Sequence, residues 1–392
     1  MKRRISLILS FTCAIISFAS DFDEVLNTVV KNNLTQRYST LSDEAKIEGL
    51  KGENQLEAPE LGFDHVWGAG SVGNKLSLSL SQSFDWPGVY AARRKAIETS
   101  STAMQYLREA TLLDTRMEAR LLLIDLIYTK QRINIVSDMA DGMATLADNY
   151  KKAMEDGSET RLDYNKAVIE KISVDKELET LRVEYEGQVA SLEVMNGGKD
   201  VAALLDKLGT DYPELPMSAF VPDINMLRER DPEYAAAMAS VDAAASVVRV
   251  ERLSRYPGFS LGYNYEYEMG DIFNGFSFSV TLPFLSRKHK VKAATFEMEA
   301  AKVDAEMKLT ARASEFNSLY RQAQVLRRFL DRYEEVVKDD SNLKLLRKAL
   351  DGGQINFLTY LQEVNFFLSA HKDYLDTLYQ YHQTLGRLSR YN

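Results

Sequence analysis

Two short stretches decide how this chain is read: Leu76-Ser-Leu-Ser-Leu80, closing at Phe84, Trp86, Pro87 and Gly88, and Phe276-Ser-Phe-Ser-Val-Thr-Leu282, closing at Pro283 and Phe284. Both alternate apolar and small polar residues, the period of a strand with one apolar face. Each runs directly into a charged, heptad-like helical stretch of roughly 60 residues, about 90 Å at the α-helical rise. A strand that feeds a helix of that length, twice in one chain, suits a barrel standing on a helical stalk.

Two further strands accompany them. Phe259, Leu261, Tyr263, Tyr265 and Tyr267 oppose Ser260, Gly262, Asn264, Glu266 and Glu268; Leu61, Phe63 and Trp67 oppose Gly62 and Asp64. The reading places strands over Leu61–Trp67, Lys75–Phe84, Phe259–Tyr267 and Gly275–Phe284, with a turn at Gly68, Gly70 and Gly73. Strands of nine or ten residues have the length of a membrane-spanning barrel strand. Aromatic residues near their ends (Trp67, Phe84, Trp86, Tyr267, Phe284) suit interfacial girdles. The candidate lipid face is Leu76, Leu78, Leu80, Phe259, Leu261, Tyr263, Phe276, Phe278 and Val280. A half-buried sheet in a soluble protein alternates equally well, so the signal segment and the stalk-length helices carry the membrane reading.

The helical remainder reads as two repeats. Residues 21–198 and 232–392 each run helix, strand, strand, long helix, glycine turn, helix, around a linker at 199–231; four of the eight prolines (Pro213, Pro216, Pro222 and Pro232) fall within 199–232. The first helix spans Asp21 to about Leu56 with a break near Ser39–Asp43. Long helices cover Val89–Met154 and Arg287–Leu350, and their return helices cover Glu159–Met195 and Gln354–Tyr391. A further helix runs from Pro232 to Arg255. Turn glycines Gly157 and Gly353 lie 196 residues apart, and Leu162-Asp163-Tyr164 aligns with Leu358-Thr359-Tyr360, so an internal duplication is the economical account. The fold class expected is mainly α with a small β part.

Composition narrows the function. The 392 residues carry a net charge of −9 and 45% hydrophobic residues, which excludes disorder and argues against nucleic acid. Residues 1–20 read as a signal peptide: Lys2, Arg3 and Arg4, an apolar run from Ile5 to Phe18, then Ser17-Phe18-Ala19. The single cysteine, Cys13, falls inside it, leaving neither a disulfide nor a cysteine metal site in the body. No later apolar run reaches 18 residues, so any membrane crossing is made by strands. His65, His289, His371 and His382 lack partners at ligand spacing, and there is no phosphate loop, dinucleotide fingerprint or nucleophile elbow. No metal, cofactor or catalytic residue is assigned, and an enzyme is rejected.

Four strands cannot close a barrel, and lipid does not tolerate an open edge. Copies must therefore share one barrel: two supply eight strands and three supply 12. An eight-stranded interior is filled by side chains, so a conducting pore favours three.

At this point the chain resembles the TolC-like outer-membrane efflux protein family. The resemblance lies in Leu-Ser-Leu-Ser-Gln-Ser-Phe (78–84), running into Ala91-Ala92-Arg93-Arg94-Lys95-Ala96. It continues in Val280-Thr-Leu-Pro-Phe284 running into Lys292-Ala293-Ala294, in Tyr256-Pro257, and in Leu-Thr-Tyr-Leu-Gln-Glu (358–363) after Gly353. It implies a homotrimer with a 12-stranded barrel in the outer membrane and a coiled-coil helical tunnel (an α-barrel) across the periplasm of a Gram-negative-type bacterium. It also implies docking to a periplasmic adaptor and an inner-membrane transporter, as the passive exit duct of a tripartite efflux or type I secretion system. The family's gate maps to the hairpin turns at Gly157, Gly352 and Gly353. Pore or gate candidates there are Asp163, Glu155, Asp156, Glu159, Asp351, Thr359, Gln362 and Glu363. The second hairpin departs from the pattern: Ile355 replaces a gating arginine, and Thr359 and Gln362 replace ring aspartates. The competing reading is a periplasmic structural or adaptor coiled coil whose strands form a soluble sheet.

Overall fold

The computed structural model describes residues 21–68, 73–220, 223–283, 287–337, 341–355 and 357–391. The signal segment with Cys13, and Gly70 and Phe284 of the strand reading, lie outside these residues. Helix α1 covers 21–32, followed by α2 (Leu34–Glu53), β1 (Glu60–Trp67) and β2 (Asn74–Phe84). The first hairpin is α3 (Pro87–Glu155) and α4 (Arg161–Met195). The linker holds α5 (Ala202–Lys207), a 3₁₀ turn (Met217–Ala219) and α6 (Ile224–Arg230). The second half follows as α7 (Pro232–Leu253), β3 (Gly258–Glu268), β4 (Asp271–Thr281), α8 (Lys288–Val337), α9 (Ser341–Asp351) and α10 (Phe357–Leu388), closed by a 3₁₀ turn at Ser389–Tyr391.

The chain divides into two compact units. One holds residues 1–35, 112–223 and 313–392; the other holds 36–111 and 224–312.

The first unit is helical and owns two apolar clusters. In one, Phe22, Val25, Leu26 and Val29 of α1 recur at helical spacing and pack against Ala119, Leu123, Ile124 and Ile127 of α3, Leu192 of α4, and Val201 and Leu208 of the linker. In the other, Val136, Met143, Leu146 and Tyr150 of α3 meet Ala167, Val174 and Leu178 of α4 and Tyr360 and Val364 of α10.

The second unit carries the sheet, ordered β1-β2-β3-β4 and antiparallel throughout. Its helical core is made of small residues, among them Ala92, Ala236, Ala237, Ala294 and Ala305.

Two boundaries differ from the sequence reading, each for a local reason. The first helix breaks at Asn33 rather than at Ser39–Asp43. The Asn33 side-chain oxygen accepts from Thr35 N (2.8 Å), while Ser39 and Thr40 hydroxyls donate back to Gln36 O and stay within α2. β4 begins at Asp271 rather than at Gly275. Met269 (φ 53°) and Gly270 (φ 101°) both turn left-handed, so a two-residue turn lets Glu268 pair with Asp271. Within the linker lie α5, the 3₁₀ turn and α6.

Candidate functional site

In the sheet, directly opposed residues share a face. Leu61 opposes Leu80, Leu80 opposes Tyr263, and Tyr263 opposes Phe276; Phe63, Leu78 and Tyr265 form the adjacent row. The candidate lipid residues therefore fall on one largely apolar face, which no described residue covers: Phe276 is 91% exposed and Leu61 71%. The opposite face is small and polar. Gly62, Ser79, Asn264 and Gly275 form one row; Ser260 and Ser279 hydrogen-bond across another at 2.6 Å. A Cβ on Gly62 would stand 2.5 Å from Ser79 Oγ, and one on Gly262 2.6 Å from Ser277 Oγ, so this face is crowded and suits the concave side of a curved sheet. Lys75 forms an ion pair with Glu266 and reaches Glu268 at 3.7 Å on the same face. At the strand ends Phe84 stacks on Phe259 (5.6 Å) and Trp86 on Tyr256 (5.5 Å). β1 and β4 are the sheet's edges.

The two hairpin turns, in the helical unit, are copies of one another. Past α3, Gly157 (φ 76°) lets Ser158 N reach Ala153 O at 2.9 Å; past α9, Gly353 (φ 65°) lets Gln354 N reach Ala349 O at 2.9 Å. The offset of 196 residues read from the sequence thus holds at the level of individual hydrogen bonds. Thr160 then caps α4: its hydroxyl oxygen accepts from Asp163 N (3.2 Å) and its hydroxyl donates to Asp163 Oδ2 (2.5 Å). Lys166 adds an ion pair to Asp163 at 3.1 Å. These partners, Thr160 first, hold the Asp163 carboxyl below the usual carboxylate range. Beneath the turn, burial raises the Tyr150 hydroxyl to about 12, helped by the nearby Glu159 and Asp163. Glu155, Asp156, Glu159, Gln362 and Glu363 are exposed, Thr359 is half-buried, and Asp351 ends α9. Residues 151–166 balance four acids (Glu155, Asp156, Glu159, Asp163) with four bases (Lys151, Lys152, Arg161, Lys166).

Above the turns runs a polar seam that the sequence reading missed. Tyr379 donates to Asp125 Oδ1 (2.8 Å) and Tyr128 donates to Asp376, so each of α3 and α10 supplies one tyrosine and one aspartate in reciprocal pairs. The two rings stack at 4.3 Å, and Gln383 joins through Asp125 (2.5 Å) and Leu121 O (3.1 Å). Burial, with Asp376 beside it, pushes Tyr128 up to about 12; burial likewise raises Asp125. Next to the seam, Tyr212 of the linker stacks on His382 (4.3 Å), and burial lowers that histidine to about 4. Gly386 admits Leu121, which a Cβ would meet at 2.8 Å, and Arg390 pairs with Asp114. The signal was present in the sequence: an Asp and a Tyr three apart on each of two helices otherwise apolar along that line.

Among the described residues no helix is long and apolar enough to cross a membrane, and no group of three His, Cys, Asp or Glu could hold a metal.

An open apolar sheet joined to paired long helices defines a class. Residues 224–391 match the family model described as outer membrane efflux protein. Across nearly its whole length the chain has the fold of solved outer-membrane channels. A membrane protein from Pseudomonas aeruginosa superposes with a TM-score of 0.78 at 18% identity, covering 95% of this chain and 92% of its own. The Campylobacter jejuni CmeC outer membrane channel gives 0.77 at 14%, covering 95% and 85%. The open state of the Neisseria gonorrhoeae MtrE outer membrane channel gives 0.71 at 16%, covering 94% and 88%. A comparison with curated protein sequences finds no match. The recognition made from the sequence accords with these matches: residues 224–391 carry the sequence pattern of outer membrane efflux proteins, and the chain as a whole has the fold of the solved outer-membrane channels.

Proposed function

We propose that this chain is the outer-membrane exit duct of an export system, assembled from three copies and acting without catalysis. The observation that carries the reading is the sheet: one face largely apolar and exposed, the other mostly small and polar, with an edge strand on each side. In water such a face is a liability, whereas in lipid it is the required surface. The edges β1 and β4 run in opposite directions, so β4 of one copy can continue antiparallel onto β1 of the next, and repetition closes a ring with no edge left. Three copies give the 12 strands that leave an open lumen, lined by Ser77, Ser79, Ser81, Asn264, Ser277, Ser279 and Thr281.

The candidate lipid residues then face the bilayer, and the hairpin turns form the periplasmic end. There the periplasmic adaptor and the inner-membrane transporter of the assembly engage. Cargo passes through and is not transformed. The tip candidates Glu155, Asp156, Glu159, Asp163, Asp351, Thr359, Gln362 and Glu363 surround the entrance. The balanced charge of residues 151–166 makes that entrance weakly selective, and Asp163 serves first as a cap.

The test is the mass of the particle extracted with detergent from the outer-membrane fraction. Three chains of 44.4 kDa, less their leaders, give about 130 kDa of protein. Ion conductance of the purified particle in planar bilayers is the companion measurement. A soluble monomer in the periplasmic fraction would sink the duct reading.

A further inference from the structure

Between the tyrosine–aspartate seam and the hairpin turns, α3, α4 and α10 enclose a cleft of about 250 Å³. Its lining belongs entirely to the helical unit. The floor is apolar, with Val136 of α3, Val174 of α4 and Leu375 of α10 all buried. Charged side chains stand around it: Arg132 of α3, Glu170 and Glu177 of α4, and Lys372 of α10.

The helix directions sort these charges into two ends. α3 is antiparallel to α4, which follows it through the Gly157 turn. It is also antiparallel to α10, as the pairs Asp114–Arg390, Asp125–Tyr379 and Tyr128–Asp376 require. α4 and α10 therefore run parallel, and their lining residues fall in the same order. Glu170 and Asn365 stand towards one end; Glu177 and Lys372, with Arg132, stand towards the other. Two helical turns, about 10 Å, separate Glu170 from Glu177 along α4 and Asn365 from Lys372 along α10.

Charge compensation is incomplete at both ends. Arg132 is neutralised by Glu177 at 2.7 Å. Lys372 and Glu170 form no ion pair with another described residue. One end thus presents an unanswered ammonium and the other an unanswered carboxylate, with an apolar floor between them. An apolar cleft with a few convergent polar groups is the usual form of a small-molecule site. Its volume does not admit a helix, whose cylinder is about 10 Å across.

We propose that this cleft binds a small zwitterion, its anionic group at Lys372, its cationic group at Glu170 beside Asn365, and an unbranched apolar spacer over Val136, Val174 and Leu375. A ligand carrying only one charge leaves the other end unanswered, so charge complementarity selects the zwitterion. Because α4 belongs to the first hairpin and α10 to the second, the bound molecule ties the two hairpins together. The cleft is formed within one chain, so the proposal goes beyond the duct reading and holds for any number of copies.

The probe is 8-aminooctanoate, whose extended chain suits the two-turn separation. It is titrated into the full chain purified in detergent and followed by calorimetry, with octanoate and octylamine as controls carrying one charge each. Saturable binding of the zwitterion, about tenfold tighter than either control, is expected. Lys372→Gln should weaken it about tenfold and leave octylamine unaffected; Glu170→Gln should do the same and leave octanoate unaffected. Lys372 is exposed and Glu170 half-buried, so both variants should keep the parent's unfolding midpoint without probe, which separates lost binding from lost folding. Lys372→Glu combined with Glu170→Lys should restore affinity to within a few-fold, the ligand lying reversed. No saturable binding to the unaltered chain, controls as tight as the zwitterion, or affinity indifferent to both substitutions overturns the proposal. Each of these results reads the same whether the particle mass is that of three copies or of one, so the cleft and the duct reading fail separately.

Discussion

The helical unit and the sheet unit bury apolar surface in opposite ways. Leu26, Leu123, Ile127, Leu192 and Leu388 are wholly enclosed by their own chain, whereas Phe63, Leu80, Leu261 and Phe278 of the sheet stand open. Both units follow apolar patterning; they differ in what completes it. Helices at 3.6-residue period supply curved stripes that one chain can fold upon each other. A four-stranded sheet presents a broad face, and none of the described residues forms a layer over it. A face left open by its own chain is completed by another solvent or another copy.

Substitutions sharpen that contrast. The largest effect is expected from a charge on the open face. Phe276→Arg should cost roughly 2–4 kcal/mol in each copy at the bilayer midplane and abolish the membrane-extracted particle, while Ser277→Thr on the other face leaves it intact. Recovery of normal particle from Phe276→Arg would place that face in water. The next effect is in the helical unit. Leu26→Ala, at a fully buried site, should lower stability by about 2–5 kcal/mol in thermal or denaturant unfolding, with the strands still able to assemble at low temperature. Gly197→Ala comes third. Gly197 has φ 71° and its Cβ would stand 2.5 Å from Asn32 O, so α4 cannot end as it does; a loss of about 1–3 kcal/mol is expected.

A smaller effect separates the helical unit by pH. His382 is held at about 4 by burial, with Arg327 second, against an ordinary value of 6.5. Below pH 6.5 the unfolded chain takes the proton before the folded one does. Stability present above pH 6.5 is therefore lost between about pH 6.5 and 4, up to about 3 kcal/mol. His382→Phe should flatten unfolding midpoints across that window, and an unchanged slope would remove the histidine as the cause. Smallest is Asp163→Asn, which weakens the capping box at the start of α4 and slightly lowers the unfolding midpoint. The Asp163 carboxyl, held low by Thr160 and Lys166, contributes above its ordinary pKa and loses that contribution as pH falls through its depressed one. Reversal potentials of this variant measure how much the same charge does for cation selectivity.

Much of this was legible in the sequence because periodicity reports directly on burial. Leu76, Leu78 and Leu80 alternate with serines, and the register sets them in rows with Tyr263, Tyr265 and Tyr267, as the alternation requires. Gly157 and Gly353 announced two equivalent turns, and their hydrogen bonds match. The break at Asn33 was not legible, because Ser39 and Thr40 look like breakers until their hydroxyls are seen returning to Gln36 O. Asp163 read as a gate candidate because it falls six residues after Gly157, where the resemblance places an aspartate; its hydrogen bonds to the capping Thr160 and its ion pair with Lys166 were not legible. The Asp125–Tyr379 and Tyr128–Asp376 pairs join residues about 250 positions apart, a separation over which no local pattern speaks.

The sequence by itself determined the element types, the duplication and the two faces of every strand, since these follow from spacings of two, three and four residues along one chain. Tertiary structure alone decided which helix lies beside which and which side chains pair across them, as Asp125 with Tyr379, because those depend on how antiparallel helices register across distances that sequence spacing does not encode.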